Sequence, residues 1–411
     1  MNRRIIFGLL FTLLTIGVKA QTLNYKSYID SIRRNNADYV AEKLNVAISQ
    51  AELSAARTTD DPSVSLEYGN NSDWSIAMGQ SASVEISKSL PLGKLAARAG
   101  VARQQLKVSQ DAFDDYWRNL KADATIDYYN ALLAKELLII DSQAFQNISA
   151  LASGDSLRFV KGEISEIDML QSRLEQYRSQ QELNSRQTDF INALVVLDER
   201  CGKPARGTRS IEGRLEVPTR MFSLQQLLDQ ALTNRSDLRV AEGSVQLALQ
   251  QNRLDLRERR SDVELALGAS YNTAVLNEEA PAPQFVGYSI GLTIPLPVSS
   301  VNSGVRQAGA LRHQQAQMQH QSVRNSIQGE VTRAYNDYQQ SLQKVKAYNE
   351  VLMVNARQVL EGKLYAYQRG DTSLLEVLTA QHTYIEILQE YATCLYDSMV
   401  ALTELERSVG L

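Results

Sequence analysis

The distribution of proline constrains the fold of this chain more than any other feature. All eight prolines lie within residues 62–91, 204–218 and 281–297, so residues 92–203 and 298–411 contain none. Proline breaks the interior of a helix, and both proline-free tracts are rich in Ala, Leu, Gln, Glu, Lys and Arg, which favour helix. The sequence therefore predicts two helical tracts of more than 100 residues each.

Both tracts repeat apolar residues at helical spacing. In the first, Phe113, Trp117 and Leu120 recur at steps of three or four, and in the second a heptad seam runs from Leu374 to Leu405. Helices over residues 94–153 and 304–368 would be about 90 and 100 Å long, so we expect an elongated molecule. Each tract is predicted to turn back as a helical hairpin at glycines, which are Gly154, Gly162, Gly362 and Gly370.

Four segments outside these tracts alternate apolar and small or polar residues with the period of a β-strand. Their apolar positions are Val64, Leu66 and Tyr68; Val84 and Ile86; Val263, Leu265, Leu267 and Ala269; and Val286, Tyr288, Ile290, Leu292 and Ile294. Strands of a membrane barrel and a half-buried sheet of a soluble domain share this alternation, so it leaves both open. Because lipid does not tolerate open strand edges, four membrane strands would require other chains to close a barrel.

The order helix, strand, strand, long helix, helix occurs twice. Asp30, Asn35 and Asp38 recur 199 residues later as Asp229, Asn234 and Asp237, and Gly162, Ser165 and Leu170 recur 208 residues later as Gly370, Ser373 and Leu378. Such a period indicates a tandem duplication. We predict a signal peptide at 1–20, a first repeat at 21–200, a linker at 201–221 and a second repeat at 222–411.

The amino terminus predicts export, because Arg3 and Arg4 precede an apolar run and Val18-Lys19-Ala20 forms a small-residue cleavage site. The remaining chain has 40 basic and 47 acidic side chains, a balance that argues against nucleic acid as a partner. Cys201 and Cys394 lack metal-ligand spacing, and their state is left open. No catalytic motif is present, so we predict neither an enzyme nor a cofactor. His313 and His320 could share a helix face, but an ordinary helix surface is favoured over a metal pair.

Three motifs, taken in order, resemble the TolC-type outer-membrane efflux protein family over essentially the whole mature length. Residues 367–381, YQRGDTSLLEVLTAQ, look like the family's hairpin turn, and residues 159–170 are their first-repeat counterpart. Residues 87–94, SKSLPLGK, are similar to the strand-to-helix junction of its heavy-metal efflux branch.

The resemblance implies a mainly α fold with transmembrane β. Long coiled-coil helical hairpins would form a periplasmic α-barrel, and each protomer of a homotrimer would add four strands to a 12-stranded outer-membrane β-barrel. It also implies a passive duct for small molecules or metal ions in the outer membrane of a Gram-negative bacterium. Its partners would be outer-membrane lipid, a periplasmic adaptor and an inner-membrane transporter. A duct for type I polypeptide secretion is the nearest alternative; a periplasmic coiled-coil scaffold is disfavoured by the four strands.

The resemblance also assigns residues to the periplasmic tip. A gate is expected at Glu376, Asp168, Tyr367 and Asp371, and adaptor contacts are expected at Gly162, Ser165, Gly370 and Ser373. Glu376 and Asp168 would bring carboxylates together at a constriction, and Tyr367 would hold the tip shut. Relatives often carry a second acidic residue where this chain has Thr379. The alternative for Glu376 and Asp168 is a solvated helix start, which the helix dipole favours.

Overall fold

The computed structural model describes residues 23–70, 76–204, 210–216, 220–258, 262–295 and 303–411. The predicted signal peptide, residues 1–20, lies outside the described residues, as do residues 205–209 and 217–219 of the predicted linker.

The described elements follow the predicted order twice. The first series is α1 (Tyr25–Asn35), α2 (Ala37–Ala55), β1 (Ser63–Gly69), β2 (Ser81–Leu90), α3 (Lys94–Val160) and α4 (Glu166–Arg200). The second is α5 (Leu224–Asn234), α6 (Ser236–Glu258), β3 (Val263–Asn272), β4 (Phe285–Thr293), α7 (Ser303–Ala347), α8 (Met353–Gln368) and α9 (Leu374–Val409). The predicted combination of long helices with four strands is confirmed, while the repeat boundaries remain a prediction.

Two details of the helical tracts differ from the prediction. The first helix continues to Val160, so Gly154 lies inside α3 and Gly162 alone marks the turn. A glycine costs about 1 kcal/mol in a helix interior, which the rest of a 67-residue helix readily offsets. The second tract stays helical from Ser303 to Gln368 but contains a π-helical turn, Tyr348–Leu352, between α7 and α8. Gly362 lies within α8.

The chain divides into two compact units. The first comprises the described parts of residues 1–37, 120–221 and 336–405, and the second those of residues 38–119, 222–335 and 406–411. Both hairpin turns belong to the first unit, and the whole sheet belongs to the second. None of the described helices has a stretch that is apolar and long enough to cross a bilayer.

The second unit contains one antiparallel sheet with strand order β1-β2-β3-β4. The register aligns Val64, Ile86, Leu267 and Ile290 in one row across all four strands, and Ser65, Glu85, Gly268 and Ser289 in the next. Since successive residues of a strand point to opposite faces, one face of the sheet is mostly apolar and the other is small or polar. The apolar face is exposed in the single chain, with Tyr288 85% and Ile290 81% accessible. Strands β1 and β4 form the two edges.

Each unit contains a helix corner closed by a glycine near the end of a repeat. In the first unit, Gly202 has φ 64°, and a Cβ there would lie 2.3 Å from the carbonyl oxygen of Asn35. Asn36 of the same corner donates a 3.0 Å hydrogen bond to the carbonyl oxygen of Arg200. In the second unit, Gly410 has φ 86° and packs against the backbone of Asn234 and Arg235. The two predicted repeats therefore end in the same local packing.

Candidate functional site at the hairpin turns

The two hairpin turns in the first unit have the same backbone design. Gly162 ends α3 at φ 75°, its N–H donates to Phe159, and the N–H of Glu163 donates to Arg158. Gly370 ends α8 at φ 80°, and the N–H groups of Gly370 and Asp371 donate to Tyr367 and Ala366. This is the Schellman pattern, which requires a left-handed residue after the helix.

Open space surrounds both turn glycines. A Cβ built on Gly162 or Gly370 would meet no described atom within 4 Å. Backbone conformation, and not lack of room, therefore calls for glycine here. The turns are free to contact a partner, but the predicted adaptor role of these two residues remains a prediction.

A serine starts the helix that follows each turn. The hydroxyl oxygen of Ser165 accepts the N–H of Asp168 at 3.1 Å and donates to the Asp168 carboxylate at 2.7 Å. Ser373 accepts the N–H of Glu376 at 3.4 Å. Both serines act as N-caps, each followed three residues later by an acid in the first helical turn. Their contact with an adaptor also remains a prediction.

The predicted gate acids have partners within the chain. Glu376 forms an ion pair with Lys363 of α8, which lowers the pKa of this carboxyl below its usual value. Asp371 lies 3.5 Å from the guanidinium of Arg369 on an exposed surface. Lys363 and Arg369 were not singled out in the sequence, since nothing in the chain's local pattern reveals which cation reaches across a turn.

Tyr367 joins α8 to α3. Its hydroxyl donates a 2.9 Å hydrogen bond to the carboxylate of Asp155, which is only 1% exposed. The guanidinium of Arg158 lies 4.9 Å from the centre of the Tyr367 ring. Burial raises the pKa of both Asp155 and Tyr367. Tyr367 also packs with Leu374, Val377 and Leu378 of α9. The predicted tip residue Tyr367 thus ties three helices together.

Asp155 is the most informative residue that the sequence analysis missed. It follows the buried residues Ile148 and Ala152 at steps of four and three, so it occupies a position on the buried seam of α3. An unpaired acid in such a position is costly, so an Asp there calls for a donor on a neighbouring helix. The helical spacing of Asp155 from Ile148 and Ala152 was the signal in the sequence that could have revealed this residue.

A polar cavity of about 340 Å³ lies farther from the turns, between α3, α4 and α9. His382 pairs with Glu175 at 2.9 Å, and Asp141 accepts from Arg186 at 2.8 Å and from Gln389 at 2.6 Å. Within the part of the chain that the structure describes, no three His, Cys, Asp or Glu side chains are arranged to hold a metal ion. These contacts join the two hairpins of the first unit.

Comparison with known proteins gives a consistent set of relatives. A family model described as "Outer membrane efflux protein" matches residues 227–411. The chain is also similar to the cobalt-zinc-cadmium resistance protein CzcC of Cupriavidus metallidurans, with 24% identity over 321 residues, which cover 77% of this chain and 74% of that protein.

Solved structures share the fold. CusC, described as undergoing transmembrane channel formation, matches with a TM-score of 0.76 at 19% identity, covering 94% of this chain and 91% of its own. The outer-membrane channel OprN gives 0.75 at 13% identity, covering 94% and 89%. The outer membrane protein VceC of Vibrio cholerae gives 0.74 at 16% identity, covering 94% and 95%.

Proposed function

We propose that this chain, whose residues 227–411 match the outer membrane efflux protein model, is the outer-membrane channel of a tripartite efflux system in a Gram-negative bacterium. The observation that carries the proposal is the sheet, whose register gathers an exposed apolar face on one side and a small or polar face on the other. Lipid would contact the first face and water the second. The chain provides a route, and we expect no catalytic step in it.

The open edges of the sheet support a homotrimer as the assembled form. Strands β1 and β4 would leave rows of unpaired N–H and C=O groups in lipid, where each unsatisfied group costs several kcal/mol. If β1 of one copy pairs with β4 of the next, three copies make a closed barrel of 12 strands. The long helices would then continue as a periplasmic α-barrel.

The hairpin turns would meet the other components. The uncovered turns at Gly162 and Gly370, with their cap residues Ser165 and Ser373, suit contact with a periplasmic adaptor that links the duct to an inner-membrane transporter. Metal ions are the favoured cargo, because the SKSLPLGK junction and the similarity to a cobalt-zinc-cadmium resistance protein both favour the heavy-metal branch.

The same tip would hold the gate. In this proposal, the Tyr367–Asp155 hydrogen bond and the packing of Tyr367 against α9 together hold the three helices in the closed arrangement. Glu376, Asp168 and Asp371 of three copies would surround the narrow end. A ring of carboxylates attracts cations and repels anions.

The experiment is single-channel conductance of the detergent-extracted protein in planar bilayers. The wild type is compared with a double variant, Glu376→Ala with Asp168→Ala, and with Glu361→Ala as the matched control. Glu361 is an exposed acid of α8 that pairs with Arg357 of the same helix. We expect small, cation-favouring currents that grow several-fold and lose cation preference in the double variant, with no change in the control.

Other outcomes separate the parts of the proposal. If the protein forms a conducting trimer whose currents do not change in the double variant, the channel proposal stands and the assignment of Glu376 and Asp168 to the gate is wrong. A chain that stays monomeric and never inserts would contradict the channel itself.

A further inference from the structure

One lysine interrupts the apolar face of the sheet. Lys88 of β2 lies in the row that continues through Leu265 of β3 and Leu292 of β4, whose side chains are exposed. Lys88 is exposed as well. The other charged residues of the described strands lie on the opposite face; they are Glu67, Glu85 and Glu264. Within the strands that the structure describes, Lys88 is therefore the one charge that shares a face with the apolar rows.

Lys88 lies towards the end of the sheet at which the strands join the helices. One further row, Leu90 with Val263, separates it from that end. The row that contains Tyr68 and Tyr271 lies six residues away along β2, which is about 20 Å. With long side chains at both ends, this distance approaches the apolar band of about 25 Å on a membrane barrel. If the face meets lipid, the tyrosines lie at one membrane surface and Lys88 lies near the other.

An ammonium on a lipid face requires an anionic partner. The cost of a charge there is highest at the bilayer midplane and falls towards the surface, where a lysine can extend its ammonium to polar groups. Among the described residues, none forms an ion pair or a hydrogen bond with the Lys88 side chain. A partner therefore has to come from outside the chain. The anion that a membrane offers at this depth is the phosphate of a phospholipid headgroup.

Further bases lie at the same end of the sheet. Arg57 lies six residues before β1, and Arg257 lies six residues before β3. Arg98 and Arg306 lie near the starts of α3 and α7, which follow β2 and β4. Because the four strands are antiparallel, all four junctions with helices lie at one end of the sheet. Both repeats thus place an arginine before the chain enters the sheet and another after it leaves.

The acids at this end leave an excess of positive charge. Glu258 lies 3.7 Å from Arg98, and Asp262 lies 2.8 Å from Lys94, so each of these acids is matched by a base. Among the other described residues at the junctions, four exposed bases face two exposed acids; they are Arg57, Lys88, Arg257 and Arg306, and Asp60 and Asp61. A basic rim of this kind attracts anionic headgroups.

We propose that Lys88 binds the phosphate of a phospholipid in the membrane leaflet nearer the helices. The acyl chains would lie against Leu265 and Leu292, and the headgroup would lie towards the basic end of the sheet. The inference rests on the proposed channel, because it requires the apolar face to be in lipid. It goes beyond the channel by naming a ligand and the residue that holds it.

Native mass spectrometry of the delipidated trimer in detergent tests the site. The protein is titrated with phosphatidylglycerol, and the affinity for bound lipid is measured from the adduct masses. Diacylglycerol serves as the probe that has acyl chains without phosphate. Glycerol phosphate serves as the probe that has phosphate without acyl chains. A lipid site requires both parts, so neither probe should replace phosphatidylglycerol.

Four variants locate the binding. Lys88→Arg keeps the positive charge, and Lys88→Gln removes it. A swapped variant, Lys88→Ser with Ser87→Lys, keeps the composition and moves the ammonium to the polar face, since Ser87 is the adjacent residue of β2. Lys43→Gln is the matched control, because it removes an exposed lysine of α2 far along the chain from the strand.

We expect the wild type, Lys88→Arg and Lys43→Gln to bind phosphatidylglycerol more tightly than either other probe. Lys88→Gln and the swapped variant should bind it about fivefold more weakly, which is the effect of one basic side chain at an anionic lipid surface. The swapped variant retains the charge of the chain, so it decides the question if Lys88→Gln assembles poorly.

Wild-type affinity for phosphatidylglycerol in the swapped variant would overturn the site and leave the channel standing. Equal affinity of the wild type for diacylglycerol and phosphatidylglycerol would do the same, because the phosphate would then not be recognised. A wild type that is monomeric and takes up no lipid would overturn both the site and the channel.

Discussion

At the scale of single residues, the Asp155 carboxyl stands out because opposing effects act on it. The Tyr367 hydroxyl donates to it and the Arg158 guanidinium lies nearby, and both favour the ionised form. Burial disfavours that form and prevails, so the pKa of Asp155 lies above its ordinary value. The folded chain therefore holds this proton more tightly than the unfolded chain does.

The first prediction concerns pH. Because the folded pKa is raised, the contribution of Asp155 to the free energy of unfolding falls as pH rises from about 4 through the raised value. Asp155→Asn removes this loss while its side-chain oxygen still accepts the Tyr367 hydrogen bond. We expect the difference in melting temperature, variant minus wild type, to be more positive at pH 7 than at pH 4. Circular dichroism in detergent measures it.

The control for this series is Asp371→Asn. Asp371 is exposed and lies 3.5 Å from Arg369, so its substitution should change the melting temperature only slightly. A difference for Asp155→Asn that is the same at pH 4 and pH 7 would show that burial does not govern this carboxyl.

At the scale of elements, the glycines that end helices are of two kinds. Gly162 needs only its left-handed backbone, whereas Gly202 also lacks room, because a Cβ would lie 2.3 Å from the Asn35 carbonyl oxygen. Asparagine tolerates the left-handed region better than other residues. We expect Gly162→Asn to cost about 1 kcal/mol or less. Gly202→Asn should cost several times more, because the corner between α1 and α2 must move.

Thermal unfolding and yield of folded protein in the membrane compare the two variants. The second corner offers a parallel, since Gly410→Asn would meet the backbone of Asn234 and Arg235 at 3.2 Å, a less severe approach. An order of loss other than Gly202, then Gly410, then Gly162 would contradict this explanation.

Local pattern made much of this architecture predictable. The four strands, the order of helices and the turns at Gly162 and Gly370 follow from apolar period, proline placement and glycine. The π-helical turn at Tyr348–Leu352 carries no proline or glycine and was not predicted. The roles of Asp155 and Lys363 were not predicted for another reason. They depend on which helices become neighbours, and no local spacing in the sequence encodes that.

At the scale of the whole molecule, the two faces of the sheet should respond differently to the same charge. Ile290 and Ser289 are adjacent in β4, the first in the apolar row and the second in the polar row. A lysine on the lipid face costs about 2–4 kcal/mol near the bilayer midplane. We expect Ile290→Lys to deplete the protein from the outer-membrane fraction and to lower the yield of trimer, as judged by fractionation and native mass.

Ser289→Lys is the matched control. It should reach the membrane at near wild-type levels and shift the channel towards anions, because its ammonium would face water. Equal loss for both variants would contradict the assignment of one face of the sheet to lipid and the other to water.

The two edges of the sheet have a genetic consequence. If β1 of each copy must pair with β4 of the next, one copy with a damaged edge spoils the barrel that it joins. In a cell that makes normal and damaged chains in equal amounts and mixes them freely, roughly one trimer in eight would be entirely normal. Edge substitutions should therefore be dominant over a wild-type gene, whereas changes that only unfold the chain before assembly should be recessive.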